Sequence, residues 1–166
     1  LRLRQMLGLH EQPHLDVARS VNAAFGVTTA VLLAIVSPVG GLFLAVHTWT
    51  VKYSSQVMLE AVPAFFALLA VVLASRAWRT ELPGRRRAWL VAAAIAFGLA
   101  CAGKYLYGVV GLAIAADWLW RTRAATATDD GRRTAGRVAR WALPVAGWFV
   151  LGFAAFLIAN PYLWPD

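Results

Sequence analysis

From Ser20 to Val51 the chain contains no Asp, Glu, Lys or Arg. Equally bare stretches follow from Ala61 to Ser75, Ala88 to Ala102, Tyr105 to Ala116 and Trp141 to Ala159, with charge gathered in the short links between them. A chain written this way has few folds open to it. Apolar runs of this length bury their backbone polar groups only as helices, each satisfying its own hydrogen bonds. Either the helices form the core of a soluble protein or they lie in lipid. Composition decides between the two. Hydrophobic residues make up 60% of the chain and charged residues 14%, whereas a soluble domain carries about a quarter charged residues.

We therefore expect an all-α, polytopic transmembrane helix bundle. Six candidate spans are Ser20 to Val36, Val39 to Val51, Ala61 to Ser75, Ala88 to Ala102, Tyr105 to Trp120 and Trp141 to Ala159. Several fall short of the ~20 apolar residues that cross the hydrocarbon core. Helix extension or local thinning of the bilayer accommodates such segments. Residues 1–19 mix Leu and Met with Arg, His and acids, which suits an amino-terminal interfacial helix broken near Pro13. Residues 161–166 would open an outer loop.

Loop charge sets the orientation. Arg76, Arg79, Arg85, Arg86 and Arg87 follow the third segment, and Arg121, Arg123, Arg132, Arg133, Arg137 and Arg140 follow the fifth. By the positive-inside rule both loops are cytoplasmic, so Arg2, Arg4, Arg19, Lys52 and Lys104 fall outside. Ser37 to Gly41 then forms a tight cytoplasmic hairpin, and both chain ends lie outside. Trp78, Trp89, Trp118, Trp120 and Trp141 mark the inner interface, and Trp49, Tyr53, Tyr105, Tyr107, Tyr162 and Trp164 the outer one.

Other features read as structural. Gly98 with Ala102 and Gly111 with Ala115 are small pairs that let helix backbones approach. Asp117 and Arg121, four apart, suit an interfacial ion pair. Cys101 has no partner for a disulfide or a metal motif and reads as a small buried hydrophobe. The net charge of +8 does not imply nucleic acid, because the basic residues sit in short loops and not along a solvated face.

The residues with chemical potential collect on the predicted outer face: His10, Glu11, His14, Asp16, Arg19, Lys52, Tyr53, Glu60, Lys104, Tyr105 and Asn160 to Asp166. Ionisable groups at membrane depth are expensive and mark functional sites, which singles out Glu60 and Lys104. Arg19 has two readings: a side chain snorkelling to the headgroups, or a guanidinium clamp on a lipid phosphate. Lys104 snorkels, or pairs with an anionic substrate or with Glu60. Glu60 is a base, a sugar-hydroxyl acceptor or a structural partner. His10 and His14 would share a helix face, but Pro13 lies between them and no third ligand is evident, so solvated interfacial histidines are the preferred reading. No nucleotide-binding loop, dinucleotide fingerprint or catalytic triad is present. A polytopic transporter and a non-catalytic lipid-phosphate-binding protein are the rival classes to an enzyme.

Taken in order, Arg19 and its span, Ser37-Pro-Val-Gly-Gly-Leu42, Val51-Lys-Tyr-Ser-Ser-Gln-Val-Met-Leu-Glu60, Gly98-Leu-Ala-Cys-Ala-Gly-Lys-Tyr105 and Asn160-Pro-Tyr-Leu-Trp-Pro-Asp166 resemble the GT-C glycosyltransferases. The branch most resembled is the protein mannosyltransferase-like one, which includes the aminoarabinose transferases. The resemblance implies a bacterial plasma-membrane enzyme that moves a sugar from a polyprenyl-phosphate donor to an acceptor at the outer face. It implies that Arg19 contacts the lipid phosphate, that Lys104 lies near the phosphate or the sugar, and that Tyr53, Glu60 and Tyr105 belong to the same substrate-binding set. Many relatives carry Arg-Pro-Asp where this chain has Leu59-Glu60, a departure that touches the role of Glu60. The catalytic general base is expected on an outer loop ahead of Leu1, so the chain reads as an internal fragment, inactive alone, that contributes no catalytic residue. No cofactor is implied, and a divalent metal is not indicated.

Overall fold

The computed structural model describes residues 13–55, 60–126 and 134–163. Among them there are helices and helical turns and no strand. The α-helices are α1 (Pro13–Val36), α2 (Pro38–Val46), α3 (Thr48–Ser55), α4 (Ala61–Trp78), α5 (Pro83–Gly103), α6 (Gly108–Thr126) and α7 (Thr134–Ala159). Four of these contain segments with the length and composition of a membrane span: Asp16–Val36, Ala61–Trp78, Pro83–Gly103 and Ala142–Ala159. The chain is thus an all-α protein with the character of a multi-pass membrane protein. It divides into two compact units, one up to Ala61 and one from Val62 onward.

In the first unit, α1 is a single 24-residue helix with Asp16 in its first turn, where a carboxylate favours the exposed amides. Arg19 therefore stands inside a helix that continues through it. Ser37 is extended, accepts a hydrogen bond from the Gly40 amide and precedes Pro38, which combines a side-chain cap with a proline at the first helical position. The chain turns back here, and α2 and α3 both pack along α1. Gly41 is the contact point: a Cβ there would run into the Ala34 backbone. The expected hairpin at Ser37 to Gly41 is found. The single span expected from Val39 to Val51 is two short helices, parted at His47, whose backbone is extended. The His47 ring shares a 3.0 Å hydrogen bond with the Thr50 hydroxyl, and the Val51 amide donates to the His47 carbonyl. This local polar cap starts a new helix where hydropathy alone runs on.

The second unit is built on α5. Its buried residues Ala93, Ala94, Ala96 and Phe97 meet Ala70 and Ala74 of α4, Ile114 and Trp118 of α6, and Trp148 of α7 in one core. The Trp148 indole donates to the Leu90 carbonyl at 3.0 Å, and its ring stacks on Phe97. Further along, Gly98 faces the Gly152 carbonyl and Ala155 with no room for a Cβ. Contact numbers rise together, so α5 and α7 run parallel. Trp78 lies beneath the Arg86 guanidinium and Pro63 lies against Gly103, so α4 runs antiparallel to α5. Gly111 fits under the Phe97 ring and Trp118 meets Trp78 edge-on, which sets α6 antiparallel to α5 as well. Gly98 and Gly111, expected to pack helices, do so. Asp117 and Arg121 form the expected pair, with the guanidinium Nε donating to both carboxylate oxygens at 2.8 and 2.9 Å.

These directions sort the second unit into two ends. Arg76, Arg79, Arg85, Arg86, Arg87 and Arg121 gather at one, with Trp78, Trp89, Trp118 and Trp120. At the other, the start of α4 meets the end of α5, the Lys104 turn and the close of α7. The segment expected from Tyr105 to Trp120 becomes a helical turn followed by α6 from Gly108. Asp117, Arg121 and Arg123 in its second half set α6 apart from the four helices with span character.

Candidate functional site

Lys104 owes its position to a helix that stops and a turn that starts. Its amide donates to the Ala100 carbonyl, closing α5. Its own backbone is extended, with φ −160° and ψ 113°, and its carbonyl accepts from Tyr107 at 3.1 Å to form the next turn. The lysine thus lies half-buried in a break between α5 and the turn Tyr105–Tyr107. Beside it Tyr105 is 86% exposed. Gly103 packs on Pro63, which holds this break against the first turn of α4. Among the described residues of the second unit, Lys104 is the charged group at this end.

Asn160 completes the same end. Parallel to α5, α7 finishes at Ala159, and the side chain of Asn160 donates to the Phe156 carbonyl at 2.8 Å while its backbone carbonyl accepts from Leu163. It is buried although polar, and it anchors the turn Pro161–Leu163, which leaves Tyr162 exposed. An ammonium, two phenols and a capped helix end can bind an anionic or sugar-bearing group.

The first unit carries Arg19, Tyr53 and Glu60. Arg19 is exposed on α1 and pairs with Asp16 at 4.0 Å, an interaction worth little in itself at an exposed position. One turn further, Asn22 is buried, and Thr29 is buried with its hydroxyl donating to the Phe25 carbonyl. Arg19, Asn22 and Thr29 recur at helical spacing, a polar stripe on one face of a span-like helix. Asn22 is a candidate that sequence reasoning passed over. The three-then-seven spacing of polar residues inside an apolar run would have revealed it. Tyr53 lies in α3, which packs along α1. Glu60 is half-buried in the turn ahead of α4.

Lys104 and Tyr105 are thus neighbours at one end of the second unit, and Arg19, Tyr53 and Glu60 are each held by the first. His10 and Glu11 lie outside the described residues, as do residues 164–166 and the side chain of His14. Among the described residues no three His, Cys, Asp or Glu side chains cluster as metal ligands do. No family model, curated protein or solved structure matches the chain.

Proposed function

We propose that this chain belongs to the membrane domain of a glycosyltransferase that moves a sugar from a polyprenyl-phosphate donor to an acceptor at the outer membrane face. The observation that carries the reading is Lys104, a half-buried cation set in a helix break at the end of its unit opposite the arginines. A charge kept at such a place serves a ligand more readily than a solvated loop would. The ordered motifs from Arg19 to Asn160 support the same class. The finer count of six spans, with 39–51 and 105–120 as the additional crossings, belongs to this proposal, as does a bacterial plasma membrane.

In the proposed reaction the acceptor hydroxyl attacks the anomeric carbon, the bond from that carbon to the lipid phosphate breaks, and the configuration inverts. The phosphate leaves with the electron pair, its charge held by Lys104; a phosphate contact for Arg19 is what the resemblance implies. Glu60 orients the acceptor or the donor sugar, and Tyr53 and Tyr105 flank the substrate. The proton of the acceptor passes to a carboxylate outside this chain, on the outer loop that the resemblance implies.

The test is sugar transfer from radiolabelled polyprenyl-phosphate sugars by the full-length protein in membranes, with Arg19→Ala, Glu60→Gln and Lys104→Ala made singly. Loss of one transition-state contact costs roughly a hundredfold or more, so Arg19→Ala and Lys104→Ala are expected to fall by that order. Unchanged turnover in all three variants would sink the assignment.

A transporter is the second reading, favoured by one observation. The break at His47 divides a segment of span-like hydropathy into α2 and α3, and interrupted helices are a hallmark of transporter binding sites. Uptake of a labelled substrate by proteoliposomes without any sugar transfer would select it.

A further inference from the structure

The arginine end of the second unit contains a cleft of about 700 Å³, lined by Arg76, Arg79, Thr80, Arg85, Trp89 and the small residues Ala88 and Ala92. We propose that this cleft binds one anionic phospholipid, its phosphate among the three arginines and an acyl chain along the alanine and tryptophan wall. The site stands at the opposite end of the unit from the Lys104 break and does not depend on the activity proposed above.

Its two walls come from two helices. Arg76, Arg79 and Thr80 close α4, while Arg85, Ala88, Trp89 and Ala92 recur at helical spacing on one face of α5. That face changes character along its length, from a guanidinium to a channel beside an indole bordered by methyl groups. Such a gradient from charge to hydrocarbon is the gradient of a lipid molecule. The Arg76 guanidinium lies over the Trp89 ring at 5.9 Å, which holds it at the mouth of the cleft. The Thr80 hydroxyl is committed to the Arg76 carbonyl at 2.8 Å and shapes the rim.

Charge makes the case specific. None of the lining residues is acidic, so three guanidiniums converge without a carboxylate among them. Arg85 also stands in the first turn of α5, which has no acidic residue and no side-chain cap. Cations there oppose the helix dipole. A phosphate diester would offset both the mutual repulsion and the opposed dipole, and a guanidinium is the side chain best shaped to receive it. Basic pockets between membrane helices on the cytoplasmic side recognise anionic headgroups in this way. A second cleft at this end, lined in part by Glu81, Arg86 and Arg87, carries its own carboxylate and suits an anion less well.

The experiment is native mass spectrometry of the full chain released from membranes in mild detergent, after exchange into equimolar phosphatidylglycerol and phosphatidylcholine. A retained single phosphatidylglycerol adduct is expected, resistant to excess inorganic phosphate. At roughly the contribution of one basic residue each, Arg79→Gln with Arg85→Gln is expected to weaken its retention about thirtyfold. Arg121→Gln, already paired with Asp117, should leave it unchanged. Equal retention of both lipids by the unmodified protein overturns the proposal without need of any variant. So does displacement by inorganic phosphate, which would identify a simple anion site, or full retention in the double variant.

Discussion

The two ends of the second unit solve opposite problems with the same kind of charge. At one, six arginines crowd at the end of α4, the start of α5, the link between them and the second half of α6, exposed or stacked on tryptophans. At the other, one lysine is half-buried in a break of the backbone. The first end is redundant: its positive charge is shared among six side chains, and no one of them decides its sign. The second is singular. A half-buried cation stands where the chain leaves helical geometry, and that contrast separates a cluster of like charges from a single built position.

Sidedness breaks or sustains this contrast most bluntly. On a Cys101→Ser background, Lys104→Cys and Arg85→Cys are expected to react with a membrane-impermeant maleimide from opposite faces, Lys104→Cys from outside. Labelling of both from one face would mean that the ends do not face different compartments. Next in size is the contact that holds the ends in register. Trp148→Ala removes a ring stacked on Phe97 and a hydrogen bond to Leu90, and should cost about 3 kcal/mol in equilibrium unfolding in detergent. A loss no greater than that of an exposed apolar residue would show that α5 and α7 do not depend on it. The smallest effect sharpens the idea of redundancy. Asp117→Asn frees Arg121 at an exposed position, and the thermal unfolding temperature is expected to stay unchanged within error.

Much of this was legible in the sequence, and the reasons differ from place to place. The apolar runs at Ala61 and Ala88 lie within α4 and α5, because hydropathy and helix length agree there. Arg76, Arg79, Arg85, Arg86 and Arg87 likewise fall at one end, because the short link between α4 and α5 leaves the chain little choice, whereas Arg132 and Arg133 lie outside the described residues. The segment at Val39 did not yield its break, since His47 acts through a bond to Thr50 that hydropathy does not weigh. The start of α6 moved from Tyr105 to Gly108 for a similar reason, the turn that Lys104 opens. For the candidate site, Lys104 and Glu60 were visible as charges between apolar runs. The burial of Asn160 was not, because it depends on neighbours. The bond from Trp148 to Leu90 spans 58 residues, and no local pattern announces it.

That last separation has a consequence for how the molecule is made. At ribosomal speeds of about 5 to 20 residues per second, Leu90 waits roughly 3 to 12 seconds before Trp148 emerges. Until then the Gly98 face of α5 has no α7 to lie against. The parallel pairing of α5 with α7 therefore forms only after α6 and its link have been made. A pause or truncation between them would leave that surface open to the wrong helix.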